Sequence, residues 1–129
     1  MNLHDNARAS LRQNDQGGYT LPTHGLYPYQ WNWDSAFAAW GFTTFDPERG
    51  WRELETLMSG QWDDGMVPHI LFHRTDPGYF PGPDVWQGRG PIPSSGITQP
   101  PVAASFMAKM LSMHPEGEQR ARLLWPRLK

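Results

Sequence analysis

Hydrophobic spacing divides the chain into helical stretches separated by connections of very different length. Residues 2–14 are polar, with Leu3, Ala7 and Leu11 at helical intervals, which predicts an exposed or outer helix. Over residues 33–45, Phe37, Trp40, Gly41, Thr44 and Phe45 recur at i, i+3, i+4, i+7 and i+8, one helical face, while Ala36, Ala38 and Ala39 fill much of the other. No charge separates Asp34 from Asp46, and a helix that is apolar or small nearly all round is a buried one. Asp46-Pro47-Glu48 then starts a new helix with a preferred N-cap, proline at the first position and an acid at the positive end of the dipole. Trp51, Leu54, Leu57 and Met58 make its apolar stripe opposite Arg52, Glu53 and Glu55, and Gly60 is a natural C-cap, so this helix is outer. After Gln99-Pro100-Pro101, Val102, Phe106, Met110 and Met113 share one face with Ala103, Met107 and Leu111 beside it, predicting a second buried helix. Pro115-Glu116 opens the last helix, amphipathic, with Ala121, Leu124, Trp125 and Leu128 on one side and Glu118, Arg120, Arg122 and Arg127 on the other; Pro126 bends or ends it.

Outer and inner helices thus alternate, which predicts a layered all-α fold. The turns after the inner helices are short. The connections before them, residues 15–32 and 61–98, are long, rich in glycine and proline, and aromatic (Phe72, Tyr79, Phe80 and Trp86 in the second). Antiparallel pairing puts both over the N-termini of the inner helices, where loops carry function. The 13 glycines and 13 prolines in 129 residues therefore belong to a loop-built site rather than to disorder, and the 7 tryptophans supply the surface a core needs. Length alone fits one compact domain. A net charge of -2 with interspersed signs gives no footprint for nucleic acid. The absence of cysteine removes disulfides and thiolate chemistry. No window is apolar enough for a membrane span, and the polar N-terminus is not a secretory signal, so a cytoplasmic protein is expected.

The densest chemistry lies in Tyr27-Pro28-Tyr29-Gln30-Trp31-Asn32-Trp33-Asp34-Ser35. Aromatic faces cover the C–H surface of a pyranose and a carboxylate accepts bonds from neighbouring hydroxyls, so the segment reads as a sugar subsite. Asp34 reads equally well as a helix cap. Gly65-Met66-Val67-Pro68-His69 and Ser95-Gly96-Ile97-Thr98-Gln99-Pro100-Pro101 are the second and third signals; proline leaves Gln99 extended, just ahead of the second inner helix. His69 and His73 have the spacing of paired metal ligands on a helix, but Pro68 precedes them and no HExxH glutamate accompanies them, so no metal or cofactor is assigned. The segment containing Asp76 and Asp84 lacks the periodicity of a calcium loop and reads as a turn-rich lid. Met107, Met110 and Met113 read as core packing, as do Trp40, Trp51 and Trp125.

In order and spacing, Trp33-Asp34-Ser35, Val67-Pro68-His69 and Thr98-Gln99-Pro100-Pro101 resemble the N-terminal part of an (α/α)6-barrel glycoside hydrolase. The nearest likeness is the family-63-like group that includes mannosylglycerate and glucosylglycerate hydrolases; family-37 trehalases carry similar Trp-Asp-Ser and Gln-Pro-Pro motifs. The resemblance runs from about Tyr27 to Ala104. It implies that Trp33, Asp34 and Gln99 line the subsite for the non-reducing sugar, with Tyr27, Tyr29 and Trp31 as its aromatic wall. His69 stands where trehalase-like sequences have asparagine. The same resemblance implies a small glycoside or oligosaccharide as ligand, action on α-glucosides or α-mannosides such as those of glycerate, and inversion at the anomeric centre, which needs two carboxyl groups roughly 6.5–9.5 Å apart. The family's general acid, in a Gly-Met-Asp-Asn-Ser-Pro-like segment, and its general base follow the Gln-Pro-Pro motif and are expected beyond Lys129. Asp63, Asp64 and Asp84 are weak substitutes. Residues 1–129 are accordingly expected to be an N-terminal portion of one (α/α)6 catalytic domain, a partial toroid. The alternative is a non-catalytic carbohydrate-binding or interaction module.

Overall fold

The computed structural model describes residues 2–129. Its elements run α1 (Leu3–Asn14), β1 (Gln30–Trp31), α2 (Asn32–Thr43), α3 (Pro47–Ser59), β2 (Ile70–Leu71), α4 (Pro83–Trp86), α5 (Ala103–Met113) and α6 (Glu118–Leu124), with single 3-10 turns either side of α6. The Asn2 side chain accepts from the Asp5 amide at 2.9 Å to open α1. None of the residues of α1 is buried, as an outer helix requires. α2 packs against α1, α3 and α5 and is the inner helix of that set. Asp46 caps α3 by accepting from the Arg49 amide at 3.1 Å, with Pro47 following. The all-α layering predicted from the spacing is present.

The face that α2 buries differs from the expected one. Ser35, Ala36, Ala39, Phe42 and Thr43 are buried, whereas Phe37 is 52% exposed. Close approach explains the reversal. α3 lays Gly50 against α2 so tightly that a methyl carbon there would lie 2.6 Å from the Ala39 carbonyl oxygen. Only a small-residue face admits a neighbouring backbone at that distance. The aromatics turn aside, Phe37 and Trp40 meeting Phe106 of α5 at ring separations of 4.5 and 5.4 Å.

Behind α3, Trp51, Leu54, Leu57 and Met58 form one core with Leu71, Met107, Met110, Ala121 and Leu124. Arg120 ties α6 to α3 by donating to both oxygens of Glu55 and to Glu48. Met113 and Trp125, expected in this core, are 46% and 51% exposed; each sits at or beyond its helix's C-terminal end. Glu53, expected on the solvent face of α3, is fully buried.

The long connection 61–98 is ordered by pairing. β2 runs antiparallel to β1 with Gln30 opposite Leu71 and Trp31 opposite Ile70, and Leu71 bridges Ser94. Two-residue strands are too short to leave an alternating pattern in the sequence. Tyr29, Trp31, Ile70 and Phe72 close over this small sheet as a second core, with Tyr79 and Trp86 packed against it. No helix among the described residues is long and apolar enough to cross a membrane.

Candidate functional site

The three motifs singled out in the sequence meet at the N-terminus of α2. The Asn32 amide donates to the His69 carbonyl at 3.0 Å, and the His69 amide donates to the Ile97 carbonyl at 2.8 Å. Asn32 Nδ2 and Thr98 Oγ1 both donate to the Val67 carbonyl, at 3.1 and 2.7 Å. The Trp33 amide donates to Gln99 Oε1 at 3.1 Å. The first amides of α2, which have no partner inside the helix, are therefore satisfied by two distant segments.

That arrangement leaves Asp34 out of the N-cap position of α2. The N-cap position is Trp31, which makes no side-chain cap bond, and Asp34 is the third residue of the helix. Among the described residues its carboxyl has no hydrogen-bond partner in another residue, and burial pushes its pKa above the ordinary value of 3.8 against the smaller opposing effect of its own backbone amide. The capping that would have occupied Asp34 is done by Gln99 and a backbone carbonyl. Its carboxylate is left as an acceptor in a half-buried position.

Gln99 spends its oxygen on Trp33 and keeps its amide hydrogens. His69 Nδ1 lies 2.5 Å from Ser95 Oγ. That hydroxyl oxygen also accepts from the Ile70 amide, so Ser95 holds the neutral ring against the start of β2 whichever nitrogen carries the proton. Burial lowers the His69 pKa, favouring this neutral form. The ring stands edge-to-face on Trp86 at 5.5 Å. The segments carrying Asp34, Gln99 and His69 thus meet about the head of α2, and of these three side chains Asp34 alone lines the groove that runs along α2.

The aromatic residues divide by depth. Trp33 is 43% exposed and Tyr27 is 40% exposed. Trp31 is buried, with Tyr27 set edge-on to it at 5.3 Å. Tyr29 is wholly buried, packed on Phe72 and Tyr79; it supports the wall from behind. A groove of about 570 Å3 runs from Asp34, Trp33 and Phe37 along α2 to Gly41, walled on the other side by Leu11 and Asn14 of α1.

The two histidines do not make a metal pair. They flank an extended strand instead of lying on one helix face, and His73 Nε2 is bonded to Gln30 Oε1 at 2.7 Å. Among the described residues no group of three or more metal-ligating side chains forms. Asp63, Asp64 and Asp84 are exposed in the loop, Asp64 beside Arg89. Sequence reading missed Ser95, which orients His69, although it stands inside the third motif, and Glu53, whose helical position hid it.

Alternating helices with long polar-aromatic loops gathered over the head of an inner helix match the arrangement expected of a helical-toroid glycoside hydrolase. Residues 27–129 match the mannosylglycerate hydrolase MGH1-like glycoside hydrolase domain, and the chain belongs to that family. It is 52% identical to the mannosylglycerate hydrolase MGH2 of Selaginella moellendorffii over 94% of this chain and 26% of that protein. It is 45% identical to the glucosylglycerate hydrolase of Mycolicibacterium hassiacum over 81% of this chain and 26% of that one. The crystal structure of a GH63 mannosylglycerate hydrolase from Thermus thermophilus, in complex with Tris and D-glycerate, superposes with a TM-score of 0.91 at 51% identity, covering 98% of this chain and 31% of that chain. The chain spans about a quarter of the length of the curated relatives it matches.

Proposed function

We propose that this chain carries the sugar-binding portion of an inverting hydrolase of mannosylglycerate or glucosylglycerate. The observation that supports it most is the carboxylate of Asp34, held at the head of α2 with no hydrogen-bond partner in another described residue. Asp34 accepts bonds from two neighbouring sugar hydroxyls, Gln99 Nε2 donates to a hydroxyl oxygen, the His69 ring bonds a further hydroxyl through Nε2, and the exposed face of Trp33 covers the apolar side of the ring. Tyr27 and Trp31 continue that wall, and Tyr29 holds them in place. Most of the affinity comes from the carboxylate, because a charge-assisted bond is about twice as strong as a neutral one. The loops before α2 and α5 close over the bound sugar.

The acid and base of hydrolysis belong, in this proposal, to the part of the relatives' length that this chain does not span. Asp34 supplies neither, since a group that fixes sugar hydroxyls is not placed across the scissile bond from a water. The test is titration calorimetry of the chain with mannosylglycerate and glucosylglycerate, for wild type and Asp34→Ala. Binding by wild type, weakened by Asp34→Ala on the order of thirtyfold, is the expected result for loss of about 2 kcal/mol of charged hydrogen bonding. Equal affinity of the two proteins removes Asp34 from the site.

A further inference from the structure

Among the described residues, Glu53 is the one carboxylate sealed completely inside the protein, and it lies beneath the candidate site. The Thr20 amide and hydroxyl donate to its two oxygens at 3.1 and 2.7 Å. The Ser35 hydroxyl donates to Oε1 at 2.6 Å, and Arg49 Nη1 stands 2.8 Å from Oε2. Gln30 Nε2 donates to Oε1 and to the Glu53 backbone carbonyl, both at 3.3 Å. One side chain on α3 thereby holds the loop before α2, strand β1 and the residue adjoining Asp34.

Core stability alone does not call for a charge here. An apolar side chain of similar volume often serves as well as a buried ion pair. What an acceptor-only group adds is direction, because every partner must turn a hydrogen toward it. Ser35 is thereby fixed in the first turn of α2. Gln30 is fixed with its amide nitrogen toward Glu53 and its oxygen toward His73 Nε2, 2.7 Å away. His73 must then carry its proton on Nε2, leaving Nδ1 as the bare nitrogen, while its ring stacks on Tyr19 at 4.3 Å.

We infer that Glu53 is the positioning residue of the sugar site: it sets the pose of Asp34 through Ser35 and aligns the loop before α2 through Thr20, with Gln30 and His73 oriented in the same network. The inference rests on the proposed sugar-binding role. It goes further in assigning control of that site's geometry to a residue of α3.

The test compares Glu53→Gln, Ser35→Ala and Leu124→Ala, the last a core deletion remote from the site that serves as a stability control. Each is titrated with mannosylglycerate well below its unfolding temperature, and the nitrogen shifts of His73 are read by NMR. A first-turn displacement of a fraction of an ångström weakens binding on the order of tenfold. We expect that loss for Glu53→Gln and for Ser35→Ala but not for Leu124→Ala. His73 is expected to be the Nε2–H tautomer in wild type, because Gln30 turns its oxygen to His73 Nε2 and its amide nitrogen to Glu53. Should Glu53→Gln not fold, Ser35→Ala carries the affinity test and the wild-type tautomer carries the network test. Affinities of Glu53→Gln or Ser35→Ala equal to that of Leu124→Ala, or a wild-type His73 protonated on Nδ1, overturn the inference. A wild type that binds no sugar removes the functional reading, and this inference with it, while an Nε2–H His73 would still show the network as drawn.

Discussion

Substituting Gly50 by alanine tests the helix contact on which the placement of α2 depends. The new methyl carbon would lie 2.6 Å from the Ala39 carbonyl oxygen, 2.6 Å from Thr43 Oγ1 and 3.2 Å from the Thr43 amide nitrogen, where ordinary contact begins near 3.4 Å. About 0.8 Å of separation must be found at the closest atoms. Two of the obstructing atoms are backbone, and the third cannot rotate away without breaking the bond from Thr43 Oγ1 to the Ala39 carbonyl, 2.8 Å long. The helices must therefore move apart. Overpacking of this kind costs about 1–3 kcal/mol, against a gain of up to about 1 kcal/mol from replacing a helical glycine with alanine. The clash involves three atoms, so the upper part of the range applies and the net loss is about 2 kcal/mol. For a domain of this size that lowers Tm by about 6–8 °C, readable by thermal circular dichroism or by urea unfolding at constant m. A Gly50→Ala protein as stable as wild type, or more stable, would refute the close-packing account of why α2 buries its alanines.

Four further outcomes follow from the same geometry. Sugar affinity should fall on acidification at a pH above 3.8, because burial raises the Asp34 pKa and the acceptor is lost as pH drops through that raised value; a midpoint at or below 3.8 contradicts it. The raised value also means that the ionised form is disfavoured in the folded state, so Asp34→Asn should melt no lower than wild type at pH 7 while abolishing most sugar binding. Tyr29→Ala should cost about 3–5 kcal/mol of stability from loss of a fully buried ring, whereas Trp33→Ala, exposed, should cost under about 1 kcal/mol and lose affinity instead; denaturant titration and calorimetry separate the two. Asp46, which burial would raise but the Arg12 side chain, the Arg49 amide and both guanidinium charges bring below 3.8, contributes stability that is present above 3.8 and lost as pH falls through its lowered value. Asp46→Ala should accordingly cost about 1 kcal/mol at pH 7 and progressively less at pH 3 in melting experiments.

The layering of the helices was legible because each boundary carries its own chemistry: Asp46-Pro47 begins α3, and Gln99-Pro100-Pro101 stands ahead of α5. The inner face of α2 was not legible, because hydrophobic spacing favours the largest side chains, whereas a closely approaching backbone selects the smallest. Glu53 was obscured for a related reason. A carboxylate between arginine and leucine reads as solvent-facing unless its partners are known, and Thr20, Gln30 and Ser35 lie 18–33 residues away in sequence. At the site, the motifs Trp33-Asp34-Ser35, Val67-Pro68-His69 and Thr98-Gln99-Pro100-Pro101 could be read from the chain, and the fold brings them together. That Gln99 takes over the capping of α2 depends on a contact spanning 66 residues, which no local pattern encodes. Depth was equally invisible: Tyr27, Tyr29 and Trp31 are alike in sequence, and only tertiary packing exposes Tyr27 while burying Tyr29.

The most direct test of the account is an amide and indole NMR titration of the chain with mannosylglycerate. The account predicts saturable shifts centred on the Trp33 indole, the Asp34 and Gln99 amides and the His69 ring, all lost in Asp34→Ala. Shifts confined to the apolar groove between α5 and α6, lined by Met107, Leu111 and Trp125, or no shifts at millimolar ligand, would contradict it.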